Sequence, residues 1–292
     1  MIYSLENSLI KITACTHGGE LHSITSKKDG TEYLWNGNPE YWKYHAPILF
    51  PIIGKVMDSR YIVDGKVYEL PAHGLARTSE FQMLEIGEND FITFELKYSE
   101  DSLKIYPYKF SLRIKYTLEE NSINVTYSVI NLDDKEIYFS IGAHPAFMCP
   151  IEKDELLEEY YLEFSEMETT SVMGVNKDVY LSRENRRFLD NETTLQLSKE
   201  LFKNGLLMFN DLKSNKIAIK SKKSNKSLSI EFNEFPYLCL WAPENGAPFL
   251  CIEPWFGHPE YEDFNGEFKD REGTVSLKIG DHFNCSYKVK IE

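Results

Sequence analysis

An all-β fold, a large antiparallel β-sandwich with only a few short helices, is what this sequence predicts. Three observations carry that expectation: side chains alternate with a period of two, the alternating runs are separated by a few turn-forming residues, and helical periodicity is scarce. In FSLRIKYTL, Phe110, Leu112, Ile114, Tyr116 and Leu118 share one face while Ser111, Arg113, Lys115 and Thr117 share the other, the pattern of a half-buried strand. INVTYSVI (Ile123 to Ile130) repeats it after EEN, so the two read as a hairpin. SLIKITAC, ELHSITS, KVYEL, FQMLEI and DFITFELKY precede that hairpin as strand candidates; EIYFSIG, YYLEF, GLLMF, KIAIKS, SLSIEF, YLCLW, FLCIE, TVSLKI and CSYKVKIE follow it. The Lys-rich run KSKKSNKS (Lys220 to Ser227) reads as a solvated hairpin turn. Only IEKDELLEEYY after Pro150 and TTLQLSKELF near 193 to 202 have helical spacing, which excludes a parallel architecture of alternating strands and helices.

No repeat, low-complexity tract or Pro/Gly-rich linker divides the 292 residues, so one domain over 1–292 is expected. A net charge of -14, from 46 acidic and 32 basic residues, argues against nucleic-acid or anionic-membrane partners. The five cysteines, Cys15, Cys149, Cys239, Cys251 and Cys285, are odd in number, far apart and never in a CxxC pair. That favours reduced thiols and a cytoplasmic setting over disulfides or a thiolate zinc site. The start MIYSLENSLIKI lacks a secretory pattern, and no window reaches the roughly 18 apolar residues of a membrane span. The N-x-S/T triplets at Asn124, Asn191, Asn225 and Asn284 then carry no weight.

Four segments break the alternation and concentrate chemistry. HAPILFPIIGKVMDSRY interrupts an apolar run with His45, Pro47, Pro51 and Gly54 before Lys55; the prolines exclude an interior strand, leaving a site element or a buried crossing loop. LPAHGLARTSEF places His73 beside Gly74, with the fixed cation of Arg77 four residues on; a surface turn is the competing reading. IGAHPAFMCP ends a strand at His144-Pro145, either to meet a ligand or as a satisfied core histidine. FLCIEPWF puts Glu253 at the end of an apolar strand beside Trp255 and Phe256. A buried carboxylate needs a partner or a cleft, and aromatic faces beside a carboxylate suit sugar rings. His17 and His22, five apart, do not make a metal motif, and no nucleotide-binding, nucleophile-elbow, HExxH or EF-hand signature is present.

In this order, FPIIGK (Phe50 to Lys55), LPAHGLAR (Leu70 to Arg77), GAHPAF (Gly142 to Phe147) and PYLCLWAPENGAPFLCIEPW (Pro236 to Trp255) resemble the bacterial branch of the aldose 1-epimerase, galactose mutarotase-like family. The resemblance implies a supersandwich with a carbohydrate cleft and interconversion of α and β anomers of a hexose. It puts the catalytic histidine on His144 and the catalytic glutamate on Glu253, with His73 and Arg77 supporting. Lys55 stands where the family often has arginine, and the resemblance puts the family's hydroxyl-binding aspartate on Asp211 in MFNDL. Trp255 is expected to stack on the ring. No metal, nucleotide or redox cofactor is required; the partner is a small sugar, hexose or hexose phosphate, with Lys43, Lys55, Arg60 and Arg77 as candidate phosphate ligands. A carbohydrate-binding or sensing protein on the same scaffold is the alternative from another class, and the acid–base pair of His144 and Glu253 speaks against it.

Overall fold

The structure is a computed structural model and describes residues 1–87 and 90–292. Nine antiparallel strands form its largest sheet, in the order Leu181–Gln196, Tyr160–Val175, Lys216–Ser221, Ser227–Glu231, His282–Ile291, Ser122–Asn131, Phe110–Glu119, Phe91–Lys97 and Gln82–Ile86. A second sheet runs Leu207–Phe209, Tyr237–Trp241, Phe249–Phe256, Ile141–Ala143 and Ile48–Leu49, and Ala146–Met148 also pairs with Phe249–Phe256. Ile2–Glu6, Ile10–Cys15 and Leu21–Ser26 make a third, three-stranded sheet.

Alternation explains how the sheets meet. In the expected hairpin, Leu112, Ile114, Tyr116 and Leu118 lie opposite Val129, Tyr127, Val125 and Ile123, and all eight are buried. They join one core cluster with Leu238, Leu240, Leu250 and Ile252 from the second sheet. Each such side chain contributes about 1.5–3 kcal/mol on leaving water, and a register slip of one residue would expose the whole set. The lysine-rich run turns between Lys216–Ser221 and Ser227–Glu231, as its composition predicts.

The two expected helices do not form. IEKDELLEEYY becomes irregular chain and one 3-10 turn, Leu157–Glu159, before the strand Tyr160–Val175 begins. Thr193 to Gln196 of TTLQLSKELF belong to the strand Leu181–Gln196, and only the 3-10 turn Lys199–Phe202 remains helical. Leu195 pairs with Leu162 and Thr194 with Glu163, so this segment completes a 16-residue strand ladder. A helix of ten residues is marginal on its own, and the ladder prevails. The α-helix Ser102–Ile105 is a single turn. No helix among the described residues is long and apolar enough to cross a membrane.

Candidate active site

The strand Phe249–Phe256 carries two faces. Leu250 and Ile252 enter the main core, so Cys251, Glu253 and Trp255 point the other way. Gly142 pairs with Trp255 and Ala146 with Cys251. The register is the same on both sides of the break at Pro145, which sets His144 directly across from Glu253. The His144 N–H donates to the Pro47 carbonyl at 3.1 Å, fixing the backbone there. Gly142 is required: a Cβ would stand 2.4 Å from Cδ1 of Trp255.

As a result His144 Nδ1 and Glu253 Oε2 face each other at 3.3 Å, with the residues 8% and 1% exposed. Neither atom has a hydrogen-bond partner, because the approach is close but not aligned. Burial pushes the Glu253 carboxyl well above the usual carboxylate range, opposed weakly by the Trp255 indole N–H. Burial, reinforced by the neighbouring His73, pushes His144 well below the ordinary imidazole value. Both shifts favour an uncharged pair.

Above the pair opens a cavity of about 660 Å³ lined by His73, His144, Glu253, Trp42 and Trp241 among others, within the size range of small-molecule sites. The Trp42 ring stacks on His144 at 4.9 Å, and Trp241 meets its edge-to-face at 5.6 Å. His73, 5.6 Å from His144 between ring centres, is delivered by a tight turn in which His73 and Gly74 both have positive φ, 63° and 75°. A Cβ on Gly74 would lie 2.2 Å from the Phe50 carbonyl oxygen, so only glycine fits. The turn is stitched to the FPIIGK segment: His73 N–H donates to the Gly54 carbonyl at 2.7 Å and Leu75 N–H to the Phe50 carbonyl at 2.9 Å. Gly54 N–H in turn donates to His73 Nδ1 at 3.3 Å. That bond leaves the ring proton on Nε2. Burial and the charges of Arg77 and Lys55 lower the His73 pKa to about 3.

His144, Glu253, His73 and Trp255 therefore line one cavity. Trp255 is its floor rather than an open stacking face: it is 2% exposed and donates its indole N–H to the Ala143 carbonyl at 3.1 Å. Arg77 lies behind the turn, donating through Nη2 to the Ala72 carbonyl at 2.7 Å and facing the Tyr44 ring at 5.0 Å. Lys55 is exposed and its Nζ donates to the Asp178 carbonyl at 3.4 Å, bracing the rim. Asp211 is not brought to the cavity; it is exposed and takes the Thr170 hydroxyl. Of the other cations, Arg60 pairs with Glu69 and Lys43 is exposed beside Tyr44. The cavity is instead lined by Lys177 and Lys203, which the sequence reading missed together with Trp42 and Trp241. Aromatic density in EYWKYHAP and the tryptophan closing PYLCLW were the available signals.

This fold is the galactose mutarotase-like one. The chain superposes with a TM-score of 0.95 on a galactose mutarotase related enzyme from Lactobacillus acidophilus, at 32% identity over 100% of this chain and 97% of that one. A galactose mutarotase-like protein from Lactobacillus casei gives 0.94 at 29% identity, covering 100% of both chains. The family model described as aldose 1-epimerase matches residues 1–276, and the chain belongs to that family. Among its relatives is the chromosomal protein LacX of Lactococcus lactis subsp. lactis, 38% identical over 100% of this chain and 99% of the relative.

Proposed function

We propose that the protein is an aldose 1-epimerase that interconverts the α and β anomers of a hexose by acid–base ring opening and reclosure. One observation carries the reading: Glu253 and His144, buried and 3.3 Å apart at the floor of a sugar-sized cavity, each hold an unpartnered polar atom toward the other. Mutarotation needs one base and one acid at two oxygens that share a carbon. Glu253, ionised, takes the proton of the C1 hydroxyl while His144, protonated, gives one to the ring oxygen. The ring opens, the C1–C2 bond rotates, and the same two groups return the protons in the opposite sense. His73 donates through Nε2–H to a sugar hydroxyl, and Trp42 and Trp241 offer aromatic faces to the C–H surface of the ring. The chemistry needs no group beyond these side chains. The five free thiols, four of them buried, support a cytoplasmic setting.

The test is anomer exchange by NMR on freshly dissolved α-glucose and α-galactose. Glu253→Gln and His144→Ala should each lower kcat by at least ~100-fold with the fold intact; rates near wild type in both would remove the acid–base assignment. A second reading, a hexose-phosphate 1-epimerase, has its own support in Lys177 and Lys203 at the cavity. If it holds, Lys177→Ala and Lys203→Ala raise KM for glucose 6-phosphate far more than for glucose, and equal effects on the two sugars count against it.

A further inference from the structure

Three stretches of chain, distant in sequence, form one side of the cavity: Gly54, the turn that holds Val175, Asn176, Lys177 and Val179, and Pro259. Gly54 is also the hook of His73. Glu260 ties these stretches together through their neighbours Lys55, Met57 and Leu181. Glu260 follows Pro259; its carbonyl accepts the Leu181 N–H at 2.9 Å and its N–H donates to the Lys55 carbonyl at 3.4 Å. Its side-chain Oε2 accepts the Met57 N–H at 2.6 Å, while Oε1 lies 3.0 Å from Nε of Arg271. Glu260 and Arg271 are both 5% exposed. A buried ion pair of this kind is a weak source of stability compared with apolar residues of the same volume, so its place beside a cavity points to another role.

We infer that Glu260, paired with Arg271, is a positioning residue of the sugar site: it sets the rim formed by Gly54, the 175–179 turn and Pro259 against the catalytic floor. The inference rests on the sugar site proposed above. Glu253 and His144 are held by the register of the second sheet and by the Pro47 carbonyl, none of which involves Glu260. With C1 at the Glu253–His144 pair, as proposed above, the rim faces the parts of a sugar remote from C1, where interactions are equally strong in the ground state and the transition state. Loosening it removes uniform binding, which raises KM and leaves kcat nearly unchanged. A loss of the floor would do the reverse. Lys55 and Asn176 reinforce the same frame, through the Asp178 carbonyl and through Asn176 Nδ2 donating to Glu262 at 2.8 Å.

The experiment compares wild type, Glu260→Gln, Arg271→Lys, and the double variant Glu260→Leu with Arg271→Met. Glu260→Gln leaves a buried guanidinium without its counter-ion and can fail to fold. The double variant fills the space with apolar groups, removes the acceptor for the Met57 N–H and strands no charge. Anomer exchange is measured for kcat and KM, sugar affinity by the fluorescence of the cavity tryptophans, and integrity by circular dichroism and thermal midpoint. The double variant is expected to stay folded, bind sugar at least ~10-fold more weakly and keep kcat within about threefold. Arg271→Lys, which keeps a cation for Glu260, is expected to lie between it and wild type. A folded double variant with wild-type affinity overturns the inference, as does one that loses kcat while KM is unchanged. Affinity is read without turnover, so a wild-type protein that binds sugar but does not speed exchange overturns the proposed reaction and leaves the rim question decided by binding alone.

Discussion

Replacing His73 by asparagine should make the fold less sensitive to acid by an amount that follows from the geometry of the turn. His73 sits at φ 63°, a left-handed conformation that asparagine tolerates better than most residues, and Oδ1 of asparagine can take the Gly54 N–H that Nδ1 now accepts. The substitution therefore keeps the turn and removes the titration. In the folded protein the His73 pKa is about 3, against roughly 6.5 in an unfolded chain. A folded-state pKa that is depressed contributes stability fully present above the unfolded value and lost as pH falls toward the folded one. By pH 5 the unfolded chain has taken up this proton and the folded protein has not, which removes about 2 kcal/mol at most, since the ring keeps part of its contact with water. His45, His144 and His258 are lowered as well, each chiefly by burial, and act with the same sign. The informative quantity is thus the difference between the two proteins: unfolding free energies from urea denaturation at pH 5 and pH 8, with the variant losing about 2 kcal/mol less. Parallel pH profiles would refute the claim that His73 is held neutral by its surroundings.

Other outcomes follow from the same geometry. Gly74→Ala places a methyl group 2.2 Å from the Phe50 carbonyl oxygen at φ 75° and should cost at least about 1–3 kcal/mol in a denaturation experiment; a neutral effect would mean the turn is free to relax. Trp42→Ala should raise KM for a hexose by about tenfold, with a smaller effect on kcat, through loss of a ring face worth on the order of 1 kcal/mol. An unchanged KM would remove Trp42 from the sugar site. Asp211→Ala should leave kcat/KM within about twofold, because its carboxylate holds Thr170 outside the cavity, and a large loss would bring Asp211 back to the substrate.

Much of the fold was legible because burial imposes its own period on the chain. The hairpin of FSLRIKYTL and INVTYSVI follows from alternation alone, whereas FLCIEPWF is apolar at nearly every position and its two faces appear only in the sheet. His144 and Glu253 stood out for a related reason: each carries a titratable group on an otherwise apolar strand, beside a proline that breaks the pattern. FPIIGK and LPAHGLAR read as two separate irregular segments, whereas they form one unit joined through Gly54, Phe50 and His73, and hydrogen bonds between distant segments leave no local trace. Trp42, Lys177 and Lys203 lie outside the strands, in or beside turns whose direction is set by the sheets behind them. The segments read as helices failed because spacing of apolar residues was weighed without the partner strand that claims them.

In the proposed reaction, the burial of Glu253 and His144 also bears on how exchange is favoured over tight holding of one anomer. Ring opening moves one proton onto Glu253 and one off His144, so it converts an ion pair into two neutral groups, and reclosure restores the charges. Desolvation raises Glu253 and lowers His144, which stabilises the neutral arrangement, the one that accompanies the open chain. In water that arrangement would have no such advantage, because both charged forms are well solvated. A bound sugar restores the ionised arrangement by donating its C1 hydroxyl to the carboxylate and presenting the ring oxygen to the imidazolium. The two arrangements are thereby drawn together in energy from opposite sides, and neither the closed ring nor the open chain becomes a trap. Glu253 sits on the strand Phe249–Phe256, and His144 lies in the short break between Ile141–Ala143 and Ala146–Met148, both paired to that strand, so sheet register holds the 3.3 Å approach.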